Sequence, residues 1–380
     1  MNTKYGWFIA VTCFFMAVTI VSCHKLVEIP SPVGYMSSDN VYTSDETAIA
    51  TLTGIYLDMS KPKQGGFVGI DGISAVLGIS ADELDISEFA SLRAQRYFHN
   101  DLSPIGNGYE NWQPLYNYIF RCNSIIEGLS EVEANILTPS VRKHLMGEAK
   151  FLRAFCYFYL VNIFGDVPMP QSTDYKVNQI LSNSPKGKVY EFIIADLKEA
   201  NDLLSENFLD PSLKNITSER VRPTKWAAAS LLARVYMFTG QYSSAEEQAS
   251  LVISNVNKFN LTALNDVFKK NSNEAIWQLQ PVAVNYNTED GKTFIIPSFE
   301  SSSMAGPSGA SPFYLSKEQL MAFETGDRRK ILGNWVDTTI YTVTASPLVR
   351  DTVYYVNKYK KNLPDLAITG TNAYQNMTEY

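Results

Sequence analysis

Apolar residues recur at helical spacing in several long blocks, separated by stretches with no period. In "TSDETAIATLTGIYLDM" (43–59), Ala48, Leu52, Ile55 and Tyr56 share one helical face. Ser44 with Thr47, or Thr43 with Glu46, supplies the start signal. "WQPLYNYIFRCNSIIEGL" (112–129) keeps Trp112, Leu115, Tyr116, Ile119, Ile126 and Leu129 on one face, so Trp112 reads as core. In "TPSVRKHLMGEAKFLRAFCYFYLVNIFGDVP" (138–168), Pro139 opens a helix that is apolar nearly all round from Phe151 to Leu160, the mark of burial on several sides. Gly165 and Pro168 then stop it. "GKVYEFIIADLKEANDLL" (187–204) turns Val189, Phe192, Ile193, Leu197, Ala200 and Leu204 inward. "PTKWAAASLLARVYMFTGQYSSAEEQASLVISN" (223–255) is a helix–turn–helix broken at Gly240, with small Ala233 and Ala245 where the helices would touch.

Between and after these blocks the pattern changes. Residues 61–111 are glycine-rich and irregular, as is 281–312, and such loops are where binding groups concentrate. "NEAIWQLQ" (273–280) reads as an extended element. "SKEQLMAF" (316–323) is a short helix capped by Ser316 with Gln319. "TTIYTVT" and "DTVYYVNKY" are β-branched or alternating runs that predict a hairpin. The last stretch, "NLPDLAITGTNAYQNMTEY", carries no cap and no closing element.

The front end has a different logic. Lys4 and an apolar run from Gly6 to Val21 have the layout of a secretory signal. A transmembrane helix is the alternative, but it needs about 20 apolar residues, and this run is interrupted by Thr12, Cys13 and Thr19. Ile20-Val21-Ser22-Cys23 resembles a bacterial lipobox, in which the cysteine becomes the lipidated first residue. We therefore expect residues 1–22 to be a lipoprotein signal, Cys23 the lipidation site, and the Pro- and Ser-rich stretch 23–40 a tether. Several acyl chains hold a domain on a bilayer where one is marginal.

Composition narrows the function. Net charge is −7, which argues against a nucleic-acid partner. Cys122 and Cys156 lie in helical apolar patterns and read as buried free thiols, with a disulfide as the alternative in an exported protein. The three histidines form no metal spacing, and no nucleophile elbow, phosphate loop or dinucleotide fingerprint occurs. No cofactor or metal is expected. The carboxylates Asp82, Glu83, Asp85 and Glu88 leave open a glycosidase-type pair, set against a solvated loop. The 22 Tyr and 20 Phe matter because aromatic faces are what sugars stack on.

Two resemblances follow. The 223–255 block is similar to one tetratricopeptide repeat, with Ala229 in place of its leading tryptophan. Five stretches together, in order, resemble the SusD/RagB-like nutrient-uptake outer-membrane lipoproteins. They are "TSDETAIATLTGIY", "WQPLYNYIFRCNSIIEGL", "GEAKFLRAFCYFYLVNIFGDVP", "RPTKWAAASLLARVYMFTGQYSSAEEQASLVI" and "NEAIWQLQ". The resemblance implies a mainly α fold: a tetratricopeptide-like helical-repeat scaffold and a loop-rich half containing short strands. On this reading residues 41–380 are one domain, with scaffold at about 41–60 and 112–256 and loop-rich parts at about 61–111 and 257–380.

The resemblance also implies a non-enzymatic, lipid-anchored protein, exposed on the outer membrane. It would bind an oligosaccharide or peptide and serve a SusC-like TonB-dependent transporter. A hydrolase or a pure scaffold are the competing classes. The expected ligand walls are 82–112 and 281–314, with Asp82, Arg93, Tyr97, Tyr109, Tyr286 and Tyr314 as candidate contacts. Family members continue with further helices after a segment like "NMTEY", so a missing C-terminal segment is expected. Leu232, Tyr236 and Phe158 would then be partly uncovered, because a repeat without its neighbour leaves an apolar face open.

Overall fold

The structure is a computed structural model and describes residues 41–103, 110–281, 287–297, 306–345, 348–361 and 378–379. Residues 42–380 form one compact unit. The signal, Cys23 and the tether lie outside the described residues, as do Tyr109 and Tyr286.

Helix α1 (Asp45–Met59) starts as its sequence predicts. The Ser44 hydroxyl accepts from the Thr47 amide while Thr47 Oγ1 accepts from the Ser44 amide, both at 3.3 Å. Asp45, in the first turn, also accepts from the Thr138 amide and hydroxyl at 2.9 and 2.6 Å, so one carboxylate ties the starts of two helices together. Residues 61–111 are more regular than their composition suggests. They contain α2 (Ile73–Ser80), β1 (Leu84–Ile86) and α3 (Leu92–Phe98), the last capped by the Ser91 hydroxyl.

The scaffold follows. Helices α4 (Trp112–Glu131) and α5 (Pro139–Phe164) pack along their length. Leu115, Ile119 and Leu129 are buried on α4 as expected, but the face centres on Tyr118, Cys122 and Ile125, with Trp112, Tyr116 and Ile126 at its margin. Gly128 has no room for a Cβ, because the Tyr42 ring lies against it. Gly165 ends α5 at φ +75°, a conformation a side chain would strain. After β2 (Val167–Pro168), α6 (Tyr175–Asn178) and β3 (Asn183–Ser184), α7 (Lys186–Leu203) packs back on α5. Helix α8 (Lys225–Phe238) packs on α7, and α9 (Tyr242–Ile253) packs on α8, with Ala233 and Ala245 both buried. The long helices α4, α5, α7, α8 and α9 thus each lie against the next long helix in sequence, the tetratricopeptide-like arrangement.

The loop-rich half comprises β4 (Gln278–Leu279), α10 (Glu289–Phe294), β5 (Phe313–Leu315), α11 (Lys317–Ala322), a 3₁₀ turn (Arg328–Lys330), β6 (Val336–Ala345), β7 (Leu348–Val356) and β8 (Thr378–Glu379). The predicted hairpin is β6–β7, antiparallel with Val336 opposite Val356. Residues 281–312, read as loop, contain α10. The final stretch does contain a closing element, since β8 pairs antiparallel with β4.

The main core joins α1, α4, α5, α7 and α8, and Trp277 sits inside it. Its ring meets Phe151 and Phe155 edge to face at 5.2 and 5.4 Å. A second core, in the loop-rich half, gathers Val76, Ile79, Leu84, Tyr97, Phe313 and Tyr355. Cys122 and Cys156 are free and buried, and burial pushes the Cys122 thiol up to about 12, so both behave as core residues.

One expectation about exposure is corrected. Leu232, Tyr236 and Phe158 are buried, at 3, 6 and 3 % exposure. The cause is local: the Phe238 ring and the Arg234 guanidinium cover Phe158 at 5.2 and 5.5 Å. The exposed apolar residues of this region are instead Met237, Phe238, Tyr242, Leu251, Ile253 and Val256.

Candidate functional site

Strand β1 pairs antiparallel with β5, placing Leu84 opposite Leu315 and Asp85 opposite Tyr314. The two segments expected to form ligand walls therefore lie side by side. Asp82 is exposed at φ 58°, and its carbonyl accepts from the Ser316 hydroxyl at 2.6 Å. Burial raises the Asp85 carboxyl, with Glu318 adding to it, and burial raises the Tyr314 phenol.

Arg93 and Tyr97, expected at the ligand face, are turned inward. Arg93 is bound to Asp71 at 2.7 Å and lies 3.6 Å from Glu110 and over the Tyr97 ring. The Tyr97 hydroxyl donates to Glu110 at 3.2 Å. Both side chains face protein partners because α3 turns its Arg93, Ala94 and Tyr97 face onto the second core.

The open concavity of this half lies beside these strands. A cleft of about 320 Å³ is lined by Glu83, Phe294, Gln319, Phe323, Trp335 and Lys358, among others. Phe323 ends α11, and Trp335 leads into β6 with its indole NH donating to the Leu264 carbonyl at 2.8 Å. A separate groove of about 510 Å³ is lined by Asp327, Arg328, Arg329 and Asn334 together with residues 262–265. Arg329 connects the two. Its guanidinium lies 5.9 Å from both the Phe323 and Trp335 rings, and it grips Asp327 in a two-pronged ion pair at 2.6 to 3.0 Å. That grip holds the Asp327 carboxyl below its ordinary range.

None of Phe323, Arg329 or Trp335 was singled out in the sequence. The available signal was "GDRRKILGNW", a charge run between Gly326 and Gly333 ending on a tryptophan.

Asp290 braces the back of the cleft. It is buried, accepts from the Gly69 amide at 2.9 Å and the Tyr359 hydroxyl at 3.3 Å, and lies 3.5 Å from Ser74 Oγ. Burial pushes its carboxyl up to about 6, against the opposing pull of the Gly69 amide and Lys358. The folded state then holds the proton more tightly than the unfolded chain. Its contribution is complete below about pH 4 and falls as pH rises through 6, by at most about 3 kcal/mol. Asp290→Asn is expected to remove this fall. Urea unfolding from pH 4 to 7 should show the variant gaining on the wild type as pH rises, and a constant difference would refute the assignment.

A second cavity, about 500 Å³, lies between α1 and residues 209–222 and 270–281. Its Tyr56 hydroxyl and Arg222 guanidinium are engaged by Glu148, at 2.6 and 3.0 Å. Burial alone would raise Glu148, but Arg222, His144 and the Tyr56 hydroxyl together outweigh it and hold the carboxyl below its usual range. This wall serves the scaffold first. Among the described residues, no group of three or more His, Cys, Asp or Glu side chains is placed to hold a metal. No helix among them is long and apolar enough to cross a membrane.

A stack of sequence-adjacent helices carrying a loop-rich half with an aromatic cleft defines a helical-repeat scaffold protein. The SusD-like family model described as "starch-binding associating with outer membrane" matches residues 85–237. SusD-like protein P2 of Formosa agariphila is 28 % identical over 257 residues, covering 66 % of this chain and 47 % of the relative. A SusD superfamily protein from Parabacteroides distasonis superposes with a TM-score of 0.64 at 25 % identity, covering 85 % of this chain and 69 % of that one. Surface glycan-binding protein A from Bacteroides uniformis gives a TM-score of 0.66 at 19 % identity, covering 88 % and 73 %. These findings support a SusD/RagB-like protein. It spans about half the length of the curated relatives it matches.

Proposed function

We propose that this chain captures a glycan for uptake at the outer membrane, without catalysing a reaction on it, and delivers it to a SusC-like TonB-dependent transporter. The observation that carries this reading is the open cleft in which the Phe323 and Trp335 rings stand beside Glu83, Gln319 and Lys358. Apolar ring faces with a few convergent polar groups are what an oligosaccharide needs. The family description and the glycan-binding neighbour support it. In this reading Asp82 and Tyr314 belong to the rim, and Arg93 and Tyr97 support the wall behind it. Tyr109 and Tyr286 complete the ligand face, residues 41–380 act as one domain, and Cys23 carries the lipid anchor of a surface-exposed protein.

Isothermal titration against an oligosaccharide panel, with peptides as a second arm, tests the reading. Binding of at least one glycan is expected, together with a loss of at least about tenfold in Phe323→Ala, equivalent to about 1.4 kcal/mol. Binding of peptides alone, or glycan binding that ignores Phe323, would move the function elsewhere.

A further inference from the structure

The groove beside the cleft has a charge that the chain as a whole does not. The protein is acidic, at −7, yet the 3₁₀ turn bordering the groove presents Arg328, Arg329 and Lys330 in succession. Their partners separate them. Arg329 is committed to Asp327, and Lys330 donates to the Leu320 carbonyl at 2.7 Å. Arg328 lines the groove, is exposed, and its guanidinium has no partner among the described residues. Asp327 is the only carboxylate among the groove's described lining residues, and it is already neutralised.

The turn is also held in place. Asp327 Oδ1 accepts from the Arg329 amide at 2.9 Å, and Asn334 donates to the Arg328 carbonyl at 2.7 Å. Lys360 donates to the Gly333 carbonyl at 3.0 Å and to that of Asn334, and half-burial lowers its ammonium to about 8. A guanidinium on a braced turn loses less freedom on meeting an oxyanion than one on a free loop, and its planar fork suits sulfate or carboxylate oxygens.

We propose that this groove takes the anionic substituent of an acidic oligosaccharide, a sulfate ester or a uronate carboxylate, with Arg328 making the contact while the sugar ring lies toward Phe323. Arg329 acts as a positioning residue that joins the groove to the aromatic cleft. The proposal rests on the glycan reading above and adds the ligand's charge class.

The experiment is calorimetric titration of the full chain with three oligosaccharides of matched length: a neutral β-glucan, a sulfated galactan and a polyuronate. The readout is the ratio of acidic to neutral affinity. At low salt that ratio should be at least tenfold for one acidic probe, and which one wins separates sulfate from carboxylate. It should shrink at high salt, because exposed charges are screened. Arg328→Ala should lower it at least tenfold and Arg328→Lys by less. Arg328 is exposed, so these variants are expected to fold. Equal affinity for neutral and acidic probes, or a ratio indifferent to Arg328→Ala, overturns this proposal and leaves the glycan reading standing. Failure to bind any of the three, or any glycan of the wider panel, overturns both.

Discussion

Arg153→Ala is expected to cost about 3–5 kcal/mol of stability, the usual result of removing one partner of a buried ion pair. Arg153 reaches from the middle of α5 to Asp196 on α7 with two parallel bonds of 2.7 and 2.8 Å, and to Asn123 on α4 at 2.8 Å. Its guanidinium also lies over the Phe192 ring at 4.9 Å. One side chain thus fastens three scaffold helices. In the alanine variant Asp196 would stay buried with only the Lys150 ammonium, 3.7 Å away, to offset its charge. Asn123 would lose the donor to its carbonyl. Urea unfolding followed by far-ultraviolet dichroism reads the loss, and a cost below about 1 kcal/mol would mean that water or Lys150 replaces the arginine. Arg153→Met with Asp196→Leu should recover much of the loss, since a buried pair replaced on both sides is often close to neutral.

Trp277→Ala should be comparably damaging, at about 3–5 kcal/mol for an aromatic removed from a packed core. The indole lies among Phe151, Phe155 and Tyr56, and its NH donates to the Val221 carbonyl at 3.1 Å. It directly precedes β4, so its removal loosens the seat of the loop-rich half on the scaffold. Trp277→Phe keeps most of the ring contact but leaves the Val221 carbonyl unmet, and should cost about 1–3 kcal/mol. Differential scanning calorimetry of the two variants orders them. An alanine variant as stable as the phenylalanine one would show that the core closes over the gap.

Both residues show where sequence reading succeeds and where it stops. The long helices were legible because burial of one face imposes a 3.6-residue period over 18 or more residues, as in α5 and α7. Helices α2 and α3, of 8 and 7 residues, are too short to show a period and lie among glycines. Trp277 stands in a run with no periodicity, so nothing local announces that it fills the core. Arg93 and Tyr97 looked like ligand groups because both can stack and hydrogen-bond. Their partners, Asp71 and Glu110, are set by how the loops fold back. The cleft itself joins Glu83 to Phe294, Trp335 and Lys358, a juxtaposition made by strand pairing and invisible in any short window.

The bonds that close the cleft span great lengths of chain. Ser316 reaches Asp82 across 234 residues, and Asp290 reaches the Gly69 amide across 221. The entropy of closing so long a loop grows only with the logarithm of its length, and doubling it costs about 0.6 kcal/mol. Adding or deleting ten residues in a surface loop within it changes that cost by a few hundredths of a kcal/mol. The scaffold's helix pairs, which meet through short turns such as that at Gly240, have no such latitude. Surface loops around the cleft can therefore lengthen, shorten or change sequence at almost no thermodynamic expense to the whole, so a single helical frame can carry clefts of very different size.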